Sequence, residues 1–126
     1  MACGKVVRVE DVEAQAVPES MASGTRIRWI IGEPDNPPTF YMRLFEMEPG
    51  AHIKPHFHPW EHEIFILDGS GRLRIGGETY EVSGGTAVYI PPNVEHEYWA
   101  GREGMRFLCM IPKSPTAPKV EEPVRC

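Results

Sequence analysis

The sequence predicts a single all-β domain, folded as a closed sandwich or barrel. Apolar and polar residues alternate over short runs, which is the pattern of half-buried strands. Glycine and proline make up 12 and 13 of the 126 residues, and they interrupt the chain at the short intervals expected between strands. No segment shows a sustained helical periodicity with capping residues, and the length suits one compact domain.

Segments rich in bulky and β-branched residues predict the strands, and the turns between them recur at the spacing typical of a sandwich or barrel. These segments are residues 26–31, 39–47, 63–67, 72–75, 78–82, 86–90, 95–100 and 105–111. The Gly76-Gly77 pair predicts a tight hairpin. Further turns are predicted at residues 48–50, 68–71, 83–85 and 91–93.

The chain divides into three parts on composition. Residues 1–25 predict an N-terminal arm, and residues 26–112 predict the β-barrel. Residues 113–126 are rich in proline and charge, which predicts a loose C-terminal tail.

Composition also narrows the classes of partner. The formal net charge is −5 and there is no long basic run, so we expect no nucleic-acid partner. No apolar run is long enough to cross a membrane, and the first residues lack the apolar core of a signal peptide, so we expect a cytoplasmic protein. Cys3, Cys109 and Cys126 form neither a disulfide framework nor a CxxC zinc motif.

Histidines are concentrated in one stretch, HFHPWEH at residues 56–62. Residues i and i+2 of a strand face the same side, so His56 and His58 present two parallel imidazoles that suit one metal ion. His62 keeps the same parity, and Pro59-Trp60 can bend the chain before the next strand. A zinc-protease helix does not fit, because no glutamate follows His58 and no histidine stands at position 66.

The other two histidines are interpreted differently from one another. His96 lies on a later predicted strand that a barrel can bring opposite the first histidines, so it is a fourth candidate ligand. His52 stands apart from this pattern and is interpreted as an ordinary surface or core residue.

The histidine stretch resembles the first motif of the cupins. That motif has the form G-x5-HxH-x3/4-E-x6-G, and Gly50, His56, His58 and Gly69 match it. His62 stands in the usual glutamate position. Glu63 breaks the spacing to Gly69 and has the wrong strand parity, so we place it outside the metal ligands.

A second stretch resembles the second cupin motif, G-x5-PxG-x2-H-x3-N. Gly85, Pro91 and His96 match it, whereas Asn93 replaces a glycine and Ala100 replaces the final asparagine. Asparagine tolerates the left-handed backbone that a turn requires. The resemblance covers residues 39–111 and implies a single-domain cupin, that is, a double-stranded β-helix or jelly-roll barrel.

Within the cupins, the sequence is most similar to small bacterial single-domain proteins with a tetra-histidine manganese site. The resemblance therefore implies one divalent ion on His56, His58, His62 and His96. Manganese is ranked first and iron second. Imidazole ligands alone also suit zinc, nickel or copper.

The resemblance implies a metal-dependent oxygenase that uses O₂ or a peroxide on a small unsaturated or aromatic molecule. The alternatives are a non-catalytic metal-binding or small-molecule sensing cupin and a cupin-type isomerase. An apolar pocket is expected around the metal, and a homodimer is expected to form through the strand at residues 26–31. The candidate pocket residues are Trp60, Ile64, Tyr98, Phe107 and Cys109.

Overall fold

The computed structural model describes residues 3–113 and is built almost entirely of β-strands. Two 3-10 helices of one turn each, Val9–Asp11 and Glu33–Asp35, are the exceptions within those residues. The strands are β1 (Ala14–Ala16), β2 (Ala22–Ile31), β3 (Phe40–His56), β4 (His62–Ile75), β5 (Glu78–Ser83), β6 (Ala87–Ile90) and β7 (His96–Pro112).

All the strand pairs are antiparallel, and the sheet order is β1-β2-β3-β7-β4-β5. β6 pairs with the first part of β4, whereas β5 pairs with its last part. β3, β4 and β7 lie side by side along their whole lengths, so they form the wall on which the histidines are placed. The predicted all-β fold class is confirmed.

The three wall strands are longer than the sequence predicts. Residues 48–50 do not end β3, residues 68–71 do not end β4, and the two predicted segments at 95–100 and 105–111 are one strand, β7. The predicted turns are bends inside continuous strands, where the register shifts between Met47 and His52 of β3 and between Gly69 and Gly71 of β4. Glycine and proline residues between strand-like segments can therefore indicate a bend within one strand as well as a hairpin between two strands.

The bends need glycine because three backbones approach each other closely there. Gly69 has φ +81° and Gly104 has φ +75°, both in the left-handed region. A Cβ at Gly69 would overlap the carbonyl oxygen of Gly104, and a Cβ at Gly104 would lie 2.6 Å from the carbonyl oxygen of Met47. A bend of β4 is thus packed against a bend of β7, and that of β7 against β3.

The predicted hairpin and the second motif's turn are confirmed. Gly76 and Gly77 connect β4 to β5, with Ile75 paired to Glu78. Asn93 has φ +62°, the left-handed conformation that its replacement of glycine predicts.

The core lies between the two halves of the folded sheet. In β4, His62, Ile64 and Ile66 point inward while Glu63, Phe65 and Leu67 are exposed, as period-two alternation requires. Phe107, Cys109 and Ile111 of β7 are buried opposite them.

Part of the N-terminal region pairs with the sheet. β1 pairs with β2, and β2 begins at Ala22, four residues before the strand predicted at 26–31. Ala22 pairs with Ile53, which brings the preceding residues against the barrel. The predicted tail beyond residue 113 lies outside the described residues. Among residues 3–113, no helix has the length and hydrophobicity that a membrane span requires.

Candidate metal centre

The histidines meet where β3 ends and β7 begins. His56 is the last residue of β3 and His96 the first of β7, and the two are direct partners in the antiparallel ladder. Direct partners bring their side chains to about 5 Å, and the ring centroids of these two lie 4.3 Å apart. His58 follows in the bend after β3, where its carbonyl accepts a hydrogen bond from the Asn93 amide.

Three imidazoles form the tightest group. His56, His58 and His96 each offer a nitrogen, and these nitrogens all lie within 4.8 Å of one another. His62 is adjacent, because its Nε2 lies 2.7 Å from Nε2 of His58 and its ring centroid lies 5.0 Å from that of His96. His62 stands outside the group of three, so its role as fourth ligand remains a prediction.

Hydrogen bonds within the chain select the tautomer of each of the three rings. Nδ1 of His56 donates to the Lys54 carbonyl, Nδ1 of His58 to the Trp60 carbonyl, and Nδ1 of His96 to the Val94 carbonyl. A carbonyl can only accept, so each Nδ1 carries the proton and each neutral ring keeps its lone pair on Nε2. This is the arrangement that metal-binding histidines adopt.

The Nε2 of His96 gives an independent indication of a missing partner. That nitrogen is buried and has no hydrogen-bond partner in the structure. An unpartnered buried acceptor is costly, and such an atom calls for an explanation. The three-histidine donor set therefore fits a divalent metal ion, because a cation shared with the neighbouring rings would satisfy His96.

His62 is held by two side chains behind the ring. Its Nδ1 lies 2.8 Å from the Cys109 sulfur and 3.4 Å from Nη2 of Arg43, and that same Nη2 donates to the sulfur at 3.0 Å. When the Nδ1 proton points to the sulfur, the Nε2 lone pair faces His58. Burial raises the pKa of the Cys109 thiol to about 11, although Arg43 opposes that shift.

Burial also favours the neutral form of His58, His62 and His96. It lowers the pKa of His62 to about 2 and that of His96 to about 4, and in both cases neighbouring cationic groups add to the effect. It lowers the pKa of His58 as well. Neutral rings are the form that binds metals, so the cluster is ready to accept an ion at neutral pH.

The cluster opens on a cavity of about 270 Å³. Trp60 stacks on His58 at 4.3 Å between centroids, and Tyr98 stacks on Phe107 at 5.3 Å, which stacks in turn on Phe45 at 5.1 Å. The rest of the described lining includes Val17, Ser20, Met21, Arg43, Ile53, Lys54 and Pro55. The cavity is mostly apolar and aromatic, and His56, His58 and His62 form part of its lining.

The candidate pocket residues separate into two groups. Trp60, Tyr98 and Phe107 line the cavity. Among the described residues, Ile64 is packed in the core without lining it, and Cys109 lies behind His62. Those two assignments to the pocket remain predictions.

Glu63 and His52, which the sequence analysis places outside the metal ligands, are not among the residues that line the cavity. Glu63 is on the outer face of β4, where it shares a groove with Glu61. His52 contacts a carboxylate oxygen of Glu97 at 2.5 Å and stacks on Trp99.

Sequence reasoning missed the part of the lining that comes from β3 and from the N-terminal region. Arg43 and Phe45 share one face of β3, and that period-two pattern is visible in the sequence. Residues 17–21 carry no such signal, because their position depends on how β2 pairs with the end of β3.

Comparison with known proteins identifies the family. Residues 43–111 match the cupin domain, which is more than half of the chain. The chain belongs to the cupin family. This agrees with the two motifs and with the antiparallel barrel that carries them.

Several relatives of this cupin are enzymes. The chain is 35% identical over 104 residues to dimethylsulfoniopropionate lyase DddW of Ruegeria pomeroyi, covering 76% of this chain and 67% of the lyase. It is 31% identical over 81 residues to polyketide synthase CurC of Streptomyces cyaneus, covering 63% of this chain but 51% of the relative. The chain thus spans about half the length of that second relative.

A solved structure is similar over nearly the whole chain. The polyketide cyclase RemF of Streptomyces resistomycificus superposes with a TM-score of 0.82 at 37% sequence identity, covering 95% of this chain and 87% of the cyclase. The cupin domain Rru_A2000 of Rhodospirillum rubrum follows with a TM-score of 0.75 at 25% identity. The relatives differ in their printed activities, so the chemistry has to be argued from this chain's own site.

Proposed function

We propose that this cupin is a metal-dependent enzyme that activates a carbonyl group of a small conjugated molecule, in the manner of a polyketide cyclase. The observation that carries the proposal is the group of three histidines, whose Nε2 lone pairs are left open by backbone hydrogen bonds and of which His56 and His58 line an aromatic cavity. The similarity to a polyketide cyclase over 95% of the chain supports it.

His56, His58 and His96 would hold one divalent ion, and we propose His62 as the fourth ligand. Manganese remains the first proposal for the ion, while four imidazoles also suit iron or zinc. When bound, the ion would supply a Lewis acid that polarises a carbonyl oxygen and makes the adjacent C–H group acidic enough to lose its proton to solvent water, since the described cavity lining contains no aspartate or glutamate.

The chain's own residues bind and orient the substrate. The stacked side chains of Phe45, Phe107 and Tyr98 give the cavity an aromatic wall that a conjugated molecule can pack against. The cavity is mostly apolar, so a charge that develops on the carbonyl oxygen would be less screened there than in bulk water.

The test measures how fast the acidic C–H hydrogen of a probe molecule exchanges with deuterium from the solvent. Protein loaded with Mn²⁺, Zn²⁺ or Fe²⁺ is mixed with 1-phenylbutane-1,3-dione in D₂O, and deuterium uptake between the carbonyls is followed by NMR. We expect faster exchange than with the same concentration of free ion, without O₂. Exchange no faster than with free ion would contradict the proposal.

Histidine variants connect that activity to the cluster. His56→Ala, His58→Ala and His96→Ala should each lose most of the metal and the exchange activity, and His62→Ala should do so if it is a ligand. His52→Ala removes an imidazole that contacts Glu97 away from the cavity, so metal retention and exchange should be unchanged. Metal content is measured after dialysis, so the ligand assignment is tested apart from catalysis.

An oxygenase is the second candidate function. Among the described residues that line the cavity there is no aspartate or glutamate to act as a general base. Oxidation of an apolar alkene by O₂ or a peroxide does not require such a base. The oxygenase hypothesis predicts carbonyl products from a styrene-like alkene when the protein holds Mn²⁺ or Fe²⁺, and no such products when it holds redox-inert Zn²⁺. A metal-binding protein without turnover in either assay would be the binding or sensing module.

A further inference from the structure

We propose that Arg43 recognises an anionic oxygen group on the ligand, so that the cavity takes a small aromatic or conjugated carboxylate. The inference rests on the proposed function only in taking the histidine cavity as the site. It adds the charge of the ligand and the residue that selects it.

Arg43 is half-buried on the cavity side of β3. Its guanidinium lies over the rings of Phe45 and Trp29, with the central carbon 5.0 Å and 5.6 Å from the ring centroids. Its contacts to the Cys109 sulfur and to His62 both use Nη2, and Nε is buried without a hydrogen-bond partner. The guanidinium has five N–H donors, so most of its hydrogen-bonding capacity is unused.

Arg43 also differs from the other arginines of residues 3–113 in its charge balance. The half-buried Arg28, Arg74 and Arg106 are paired with carboxylates. The unpaired arginines at positions 26, 72 and 102 are exposed to water. Arg43 alone in this part of the chain is both half-buried and without a carboxylate partner. A charge held out of water and left unpaired is unfavourable, and a bound anion would compensate it.

The charge of the cavity favours the same ligand. Its described lining contains two cationic side chains, Arg43 and Lys54, and no aspartate or glutamate. The chain as a whole carries a net charge of −5, so the cavity has the opposite sign from the molecule. Such a local reversal attracts an anion into the cleft.

The position of Arg43 sets the shape of the ligand. The guanidinium stands at the Phe45 end of the aromatic wall, and one of its nitrogens lies 3.4 Å from the His62 ring. An anionic oxygen bound by Arg43 would thus lie beside the histidines while an attached conjugated group lies along Phe45 and Phe107. The cavity of about 270 Å³ is at the small end of ligand sites, which limits the body to about one ring.

The test uses cinnamate and its neutral isostere cinnamamide as probes. Binding to the full chain is measured by titration calorimetry after metal removal with a chelator, so that the carboxylate cannot bind an ion. We expect the wild type to bind cinnamate roughly tenfold or more tightly than cinnamamide. Arg43→Gln should weaken cinnamate binding by roughly 10- to 100-fold and leave cinnamamide binding unchanged, which is the loss expected for one charge-assisted hydrogen-bonded contact.

Two further variants separate recognition from structure. Arg102→Gln removes the same charge from an exposed position and should leave both affinities unchanged. Arg43→Lys keeps the charge but not the fork geometry, so it should keep part of the preference for cinnamate. If Arg43→Gln unfolds, as circular dichroism would show, the wild-type preference and the Arg43→Lys variant decide.

Several results would contradict the inference or the proposed function. A wild type that does not bind cinnamate, or binds both probes equally, would overturn the inference, and so would an equal loss of both probes in a folded Arg43→Gln. If cinnamate binding depends on Arg43 but the protein shows no metal-dependent exchange, only the proposed function is wrong. Metal-dependent exchange with no preference for cinnamate would remove the inference alone.

Discussion

Acid should destabilise the metal-free protein through its buried histidines. Burial lowers the pKa of His96 to about 4 and that of His62 to about 2, whereas an unfolded histidine titrates near 6.5. Below about pH 6.5 the unfolded chain therefore binds protons that the folded chain does not. Stability is present above the unfolded pKa and decreases as the pH falls toward the folded pKa of each ring.

The magnitude follows from the width of that window. Between pH 6.5 and pH 5 both rings stay neutral in the folded state, so each contributes a loss over about 1.5 pH units. At about 1.36 kcal/mol per unit, each ring costs about 2 kcal/mol of unfolding free energy and the pair about 4 kcal/mol. His62 is 4% exposed and His96 is 0% exposed, so solvent screening reduces this loss of unfolding free energy only slightly.

The assay is urea unfolding of metal-free protein at pH 7.5 and pH 5.0. His96→Gln removes one titrating ring, so the loss between the two pH values should be smaller by about 2 kcal/mol than in the wild type. Comparing the pH dependence of the two proteins cancels contributions from groups that both retain, including Glu63, whose pKa is raised to about 7 by burial and by Glu61. Equal pH dependence in the two proteins would refute the reasoning that burial keeps His96 neutral.

Two further predictions concern the bends and the assembly. Gly69→Ala should lower the unfolding free energy by more than Gly50→Ala, because both have positive φ but only at Gly69 would the new Cβ meet the Gly104 carbonyl. Gly50→Ala should lower the unfolding free energy by about 1–2 kcal/mol. Equal losses for the two variants in thermal or urea unfolding would contradict the packing of the bends. A homodimer is predicted through β2, where Trp29 remains 37% exposed, and sedimentation showing only the 14.2 kDa chain at micromolar concentration would contradict it.

The features that follow from local sequence were predictable. The Gly76-Gly77 hairpin needs only two adjacent residues, and the left-handed Asn93 follows from its place in a motif. His56 and His58 were expected together on one strand face; the structure instead places His58 in the bend after β3, and their ring centroids still lie 5.6 Å apart. Each of these inferences depends on residues that are close in the chain.

The features that depend on long-range pairing were not predictable. Gly69 and Gly104 can be interpreted as turn residues in isolation, and only their mutual packing shows that they bend continuous strands. Arg43 gives no sign in the sequence that it lies beside His62, because its contact partner Cys109 is 66 residues away. Periodicity assigns a face to a residue but does not assign the strand that it faces.

The same distinction divides the histidines themselves. The rings of His56, His58 and His96 are each fixed by a carbonyl two residues away, so their orientation is determined as soon as the local backbone forms. The His62 ring is instead fixed by Cys109 from another strand. Three rings thus belong to a locally determined cluster, whereas the fourth depends on the packing of β3, β4 and β7. Because Arg43 contacts both Cys109 and His62, an anion bound by this arginine would act on the one ring whose position the local backbone does not determine.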